Sequence, residues 1–173
     1  VVLDANPGLT AEEANARAWE FGRKGLERAL AQGLNFAFQT TLGARTIPQM
    51  LADGARQGAQ VHLWYAGLSS PELHVARARG RVAAGGHDIP EAKIREPYET
   101  SRSNLIRLLP LLASLRDYDN SAAGDPKAGR KPQPRLLLHI ENGQVVGHVA
   151  LDQVPQWAKP ITAAALMHPR GAG

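Results

Sequence analysis

Residues 77–98 read RARGRVAAGGHDIPEAKIREPY, and the rest of the chain is organised around this stretch. Just upstream, Ser70-Pro71 marks a helix start, with Ser70 as N-cap and Pro71 at the first helical position. Arg77 and Arg81 stand one turn apart, so a helix shows both on one face. Gly85-Gly86 stops that helix. Asp88-Ile-Pro-Glu91 opens a second one, with Asp88 as N-cap and Glu91 in capping-box spacing, and Arg95 follows a turn later. The expected unit is a helix, a tight Gly-Gly-His87 connector and a second helix, with several guanidinium groups able to converge. Guanidinium is planar, permanently charged and bidentate, which suits phosphate oxygens. Spacing alone leaves a second reading open, a solvated basic helix pair.

Composition narrows the classes around that stretch. A chain of 173 residues with 43% hydrophobic content is read as one domain, residues 1–173, able to bury a core. The absence of cysteine excludes disulfides, thiol catalysis and cysteine-ligated zinc. No segment is apolar enough to span a membrane and no secretory signal is visible, so a cytoplasmic protein with no membrane partner is expected. The net charge of +4 suits a phosphorylated small molecule as well as nucleic acid. No helix-turn-helix, RRM or KH pattern accompanies it, so no nucleic-acid partner is expected. The six histidines form no H-x-x-x-H pair and have no companion carboxylate cluster, so no metal site is expected either. The chain opens on Val1 without an initiator Met, which fits a fragment of a longer protein.

Outward from the arginine stretch, the pattern alternates. Val1–Leu3 reads as a buried strand that leaves Asp4 at its C-terminal end, where open α/β sheets place their chemistry; a capping or loop Asp is the competing reading. Thr10-Ala-Glu-Glu13 is a capping box for a long scaffold helix to Gln32, with Ala14, Ala18, Phe21, Ala29 and Leu30 near helical spacing and Gly33 closing it. Asn35–Thr40 reads as a strand whose end offers the hydroxyls of Thr40 and Thr41. A helix over Ile47–Gln57 and a strand over Gln60–Ala66 follow. Beyond the arginine stretch, the second helix is expected to reach Leu112 with a kink or break at Pro97. A strand over Ser114–Tyr118, a mobile loop over Ala122–Pro134, a β-hairpin turning on Asn142-Gly143 and a helix over Gln153–Met167 complete the chain. This order predicts an α/β layered fold with a parallel sheet and right-handed crossovers.

Four segments together carry a resemblance: FAFQTTLGART (36–46), SSPELHVARARGRVAAGGHDIPEAKIR (69–95), SNLIRLLPLLASLRDYDNS (103–121) and LLLHIENGQVV (136–146). They resemble the zeta-toxin family of P-loop kinases, in particular its bacterial branch described as predicted ABC-type ATPases. The resemblance implies a three-layer P-loop kinase-like fold, with a mostly parallel sheet flanked by helices and a C-terminal β-hairpin. It implies an ATP-dependent phosphotransferase using Mg²⁺. Its substrate would be a hydroxyl on a small molecule, such as a UDP-linked amino sugar, and its partner an antitoxin protein. By the same resemblance, Asp4 would accept the substrate hydroxyl proton, and Gln39, Thr40 and Thr41 would hold substrate. Arg77, Arg81 and Arg95 would grip the ATP phosphates, with Arg81 catalytic as well, and Asn120 and Ser121 would begin the loop near the adenine. Such chemistry needs positioning and positive charge more than covalent help from the protein.

The sequence departs from the family at four places. No G-x-x-x-x-G-K-[ST] occurs, so the chain as written is expected to bind ATP poorly, with the P-loop strand cut or lost. Gln39 replaces the usual Glu before Thr-Thr, Pro97 replaces an Arg, and Asp4-Ala5-Asn6-Pro7 departs from the usual N-A-D-x-I. These departures keep a second reading in view, a catalytically degenerate relative that binds a nucleotide or a protein partner.

Overall fold

The computed structural model describes residues 8, 10–86, 89–122, 124 and 133–167. The strand expected at Val1–Leu3, the candidate base Asp4, His87, Asp88 and most of the Ala122–Pro134 loop lie outside the described residues. The path forms two compact units, one up to Thr40 and one from Thr41 onward.

The first unit is dominated by helix α1 (Ala11–Gln32). Its capping box is complete: Thr10 Oγ1 accepts from the Glu13 amide at 3.2 Å, and Glu13 accepts from the Thr10 amide at 2.8 Å. Gly33 ends it in the left-handed conformation. The buried stripe is narrower than the periodicity suggests. Ala14, Leu26 and Ala29 are buried, whereas Ala18 is exposed and Phe21 is 82% exposed. The strand expected over Asn35–Thr40 is absent; these residues have no regular structure. An alternating run becomes a strand only where a neighbour supplies ladder bonds, and the four paired strands among the described residues all lie in the second unit. Phe36 instead stacks on Phe38 with centroids 5.6 Å apart and lies over Gly25, where a Cβ would come within 2.7 Å of the ring.

The second unit contains helix α2 (Thr46–Arg56), strand β1 (His62–Gly67), helices α3 (Pro71–Ala83) and α4 (Glu91–Leu108), strands β2 (Ser114–Asp119), β3 (Arg135–Glu141) and β4 (Gln144–His148), and helix α5 (Lys159–Met167). The sheet runs β1-β2-β3-β4. Among the described strands only β1 and β2 are parallel; β2–β3 and β3–β4 are antiparallel, so the expected mostly parallel sheet is corrected to a mixed one within an α/β fold. The reason is local. The two-helix passage over α3 and α4 is long enough to return the chain parallel, whereas the two-residue turn between β3 and β4 can only reverse it. Asn142 and Gly143 both take positive φ there, 52° and 75°, as the expected hairpin requires.

Ser70 caps α3 as expected, accepting from the Leu73 amide at 3.2 Å. Helix α4 starts later than expected, at Glu91 after Pro90, because a residue preceding proline is pushed out of the helical region. It runs through Pro97 without interruption and ends at Leu108, where Pro110 tightens the chain into a 3-10 turn over Leu109–Leu111. The C-terminal helix is also shorter than expected, since Pro155 breaks the run and helical structure resumes only at Lys159-Pro160. Leu105, Leu108, Leu112, Leu115, Leu138 and Ile161 form the fully buried centre. Each contributes about 1.5–3 kcal/mol relative to exposure.

Candidate functional site

The C-terminal end of the parallel pair β1–β2 is where an open α/β sheet presents a ligand. At that end the Asn120 amide donates to the Gly67 carbonyl at 2.9 Å. Asp119 Oδ1 accepts from the Ser121 amide at 3.1 Å and from the Ser121 hydroxyl, which fixes the turn out of β2. Arg77, on the middle of α3, donates through Nη2 to the Ala122 carbonyl at 2.9 Å. The structure therefore brings Arg77 to the Asn120-Ser121 turn, two segments separated by more than forty residues of sequence. Guanidinium carries five N–H donors, and this bond uses one. Arg81 lies a turn further along α3 and is exposed. Its carbonyl accepts from the Gly86 amide at 2.9 Å, which ties the α3 end to the connector.

Arg95 is held elsewhere. It donates to Glu72 at 2.7 Å and to Glu91 at 2.8 Å, and Arg79 reaches Glu91 at 3.0 Å. Hydrogen bonds from Arg95 are the leading reason that both glutamates sit below the usual carboxylate range. Arg79 and Glu91 also line a cavity of about 210 Å³ between α3 and α4, together with Val75, Ala78, Ile89, Pro90 and Ile94.

Gln39 and Thr40 are exposed and belong to the first unit, while Thr41 begins the second. The turn after Thr41 is specifically built. Leu42 is buried with φ of 55°, a left-handed conformation costly for a branched side chain. Asn104 of α4 holds it, donating Nδ2 to the Leu42 carbonyl at 2.6 Å and to the Ala44 carbonyl at 3.1 Å. Gly43 lies directly against Pro97, leaving no room for a Cβ. Pro97 thus serves as the floor of this turn.

Three residues of this region escaped the reading of the sequence: Arg79, Asn104 and Asp117. Asn104 shares the buried spacing of Ser101, Leu105 and Leu108 on α4, and an amide on such a stripe was the available signal. Asp117 alternates with Leu115 and Asp119 on β2 and is fully buried. Burial first, and the neighbouring Asp119 charge second, push its carboxyl up to about 7. His74 on α3 is shifted down, by burial first and the Arg77 charge second.

No protein-family model matches the chain, and no solved structure matches it. An uncharacterized protein of Haemophilus influenzae is 34% identical over 70 residues, covering 40% of this chain and 50% of that protein. The chain therefore spans half the length of this curated relative. No helix of the described residues is long and apolar enough to cross a membrane.

Proposed function

We propose that the chain belongs to the zeta-toxin type of P-loop kinases and serves ATP-dependent phosphorylation of a small-molecule hydroxyl, with nucleotide sugars as the first substrate class to test. The observation that carries the reading is the Arg77–Ala122 contact. It joins the SPELHVARAR and YDNS segments, whose resemblance to that family is independent, at a sheet end suited to a ligand. In this reading Arg77 and Arg81 bind phosphate oxygens, Asn120 and Ser121 border the base, and Gln39, Thr40 and Thr41 hold substrate, each as the family resemblance implies. Asp4 takes the hydroxyl proton, the three-layer arrangement of the family is completed around β1, and an antitoxin and a cytoplasmic setting follow from the family.

The described residues do not by themselves fit Mg²⁺ and a triphosphate. No group of three or more His, Asp or Glu among them stands ready for a metal, and the sequence has no G-x-x-x-x-G-K-[ST] cradle. The pairing of Arg95 with two glutamates favours the second reading, a degenerate relative that binds a nucleotide or a protein without catalysis.

Calorimetric binding of Mg²⁺·ATP, on this chain and on any longer form its gene encodes, separates the two. The kinase reading expects binding by the longer form and a loss of about tenfold or more in Arg81→Ala, the usual value of a charge-assisted bond. Failure of both forms to bind overturns it. A nucleotide-sugar titration then tests the degenerate relative.

A further inference from the structure

Asp117 has no role in the site described above, and its surroundings are unusual for an acid. It is 0% exposed, and neither carboxylate oxygen has a hydrogen-bond partner among the described residues. Tyr65 lies directly opposite on β1 and Leu138 directly opposite on β3, with a β-bulge immediately after Asp117. The Tyr65 hydroxyl meets Ser101 Oγ of α4 at 3.1 Å, which places α4 over this pair of strands. Trp157 packs its ring 6.2 Å from that of Tyr65 and directly on Gly67. Two further buried groups in the same C-terminal segment, Trp157 Nε1 and Thr162 Oγ1, also lack partners.

Among the described residues, no cation answers the acid. On β2 the facing charge is Asp119, of the same sign. On β1 it is the Tyr65 phenol, itself shifted upward, first by burial. On α4, Arg102 and Tyr98 act on Tyr65, and Arg102 is committed to the Tyr98 ring and to Glu99. The facing position on β3 is Leu138, and the C-terminal segment contributes Trp157 and Thr162. A neutral carboxyl fits such a place far better than an unpaired charge does.

We propose that Asp117 is a proton-operated latch beneath α4: protonated, it lets α4 and the Trp157 segment close over β1 and β2, and ionised, it draws in water and loosens them. The latch stands independently of the kinase reading.

The direction of the pH effect follows from linkage. The unfolded carboxyl titrates near 3.8 and the folded one near 7, so the folded state holds an extra proton between those values. Its stabilising contribution is complete below the lower value, falls as pH rises, and is gone above the upper one. His74 works the other way, because its depressed folded value makes stability rise as pH approaches 6.5. Comparison with a variant isolates Asp117 from His74 and from the surface carboxylates.

The test is urea unfolding of the full chain and of Asp117→Leu from about pH 4 to about pH 8, with hydrogen exchange of the α4 amides. The ratio of the variant's folding constant to the parent's is expected to rise about tenfold per pH unit across the window, then level off. Protection of α4 amides in the parent should fall relative to the variant in the same window. Parallel stability curves would overturn the proposal. Should Asp117→Leu fail to fold, carboxyl ¹³C titration of the unaltered chain decides: an Asp117 value in the ordinary carboxylate range overturns the latch, and so does a value near 7 without any pH-linked loss of α4 protection.

Discussion

The α3–α4 surface and the interior beneath α4 handle charge in opposite ways. On the surface Arg95 bridges Glu72 and Glu91 across two helices, and Arg79 adds a second cation to Glu91. Every member is exposed, so water and salt screen the pairs and their joint effect on stability is small. In the interior the Asp117 carboxyl stands without a hydrogen-bond partner among the described residues, and its ionisation state weighs heavily because it is buried away from water. The surface network therefore sets how two helices and their arginines are held, while the interior acid sets how stability answers to pH. Substitutions in the two places should differ in size and in the condition that reveals them.

The largest effect is expected at Gly67. Its missing Cβ is the space the Trp157 ring occupies, and both residues are buried. Gly67→Ala overpacks that contact and should destabilise the fold by about 3 kcal/mol, read as a lower urea midpoint. It should also move the Asp117 carboxyl toward its ordinary value if the displaced ring admits water. An unchanged midpoint would mean that Trp157 has another seat and does not seal the interior.

Much of this frame was legible in the residues. Ser70-Pro71, the Thr10/Glu13 box and Asn142-Gly143 act through their nearest neighbours, so local chemistry placed α3, α1 and the hairpin. What failed depends on distant partners. NFAFQT alternates as a strand does, yet pairing is supplied by a neighbour and not by the run itself. Pro97 was read as a kink or a break; the helix is not broken there, and the ring that costs one ladder bond gives Gly43 its seat. The partners of Arg95 were within reach of the sequence, since Glu91 precedes it by one turn; Glu72 was not. Asp117 was read as part of a strand and given no role, because alternation shows which face a residue takes and not whether that face holds a cation.

An intermediate effect is expected where surface and interior meet, at Asn104. Asn104→Leu keeps the volume but removes both donors to the Leu42 and Ala44 carbonyls. Leaving such groups unsatisfied should cost about 2 kcal/mol, with faster amide exchange confined to Thr41–Arg45. The Asp117 titration should stay in place, since neither residue bonds the other. Exchange that accelerates along the whole of α4 instead would mean that the turn and the interior open as one body, and the two regions would no longer be separable.

The smallest effect is expected on the surface. Arg95→Gln keeps a side chain able to reach Glu72 or Glu91 and loses only the charge. Both glutamates should then return toward the usual carboxylate range, because Arg95 is the leading cause of their depression. A depressed acid contributes stability that is present above its unfolded value and lost as pH falls through its folded one. The melting difference between the parent and Arg95→Gln should therefore be slight at neutral pH, vanish in strong acid and shrink with added salt. That acid-side loss is opposite in sign to the Asp117 effect, so one pair of pH series reads both regions. A large, salt-insensitive loss in Arg95→Gln would show that the surface network is desolvated and would erase the contrast with the interior.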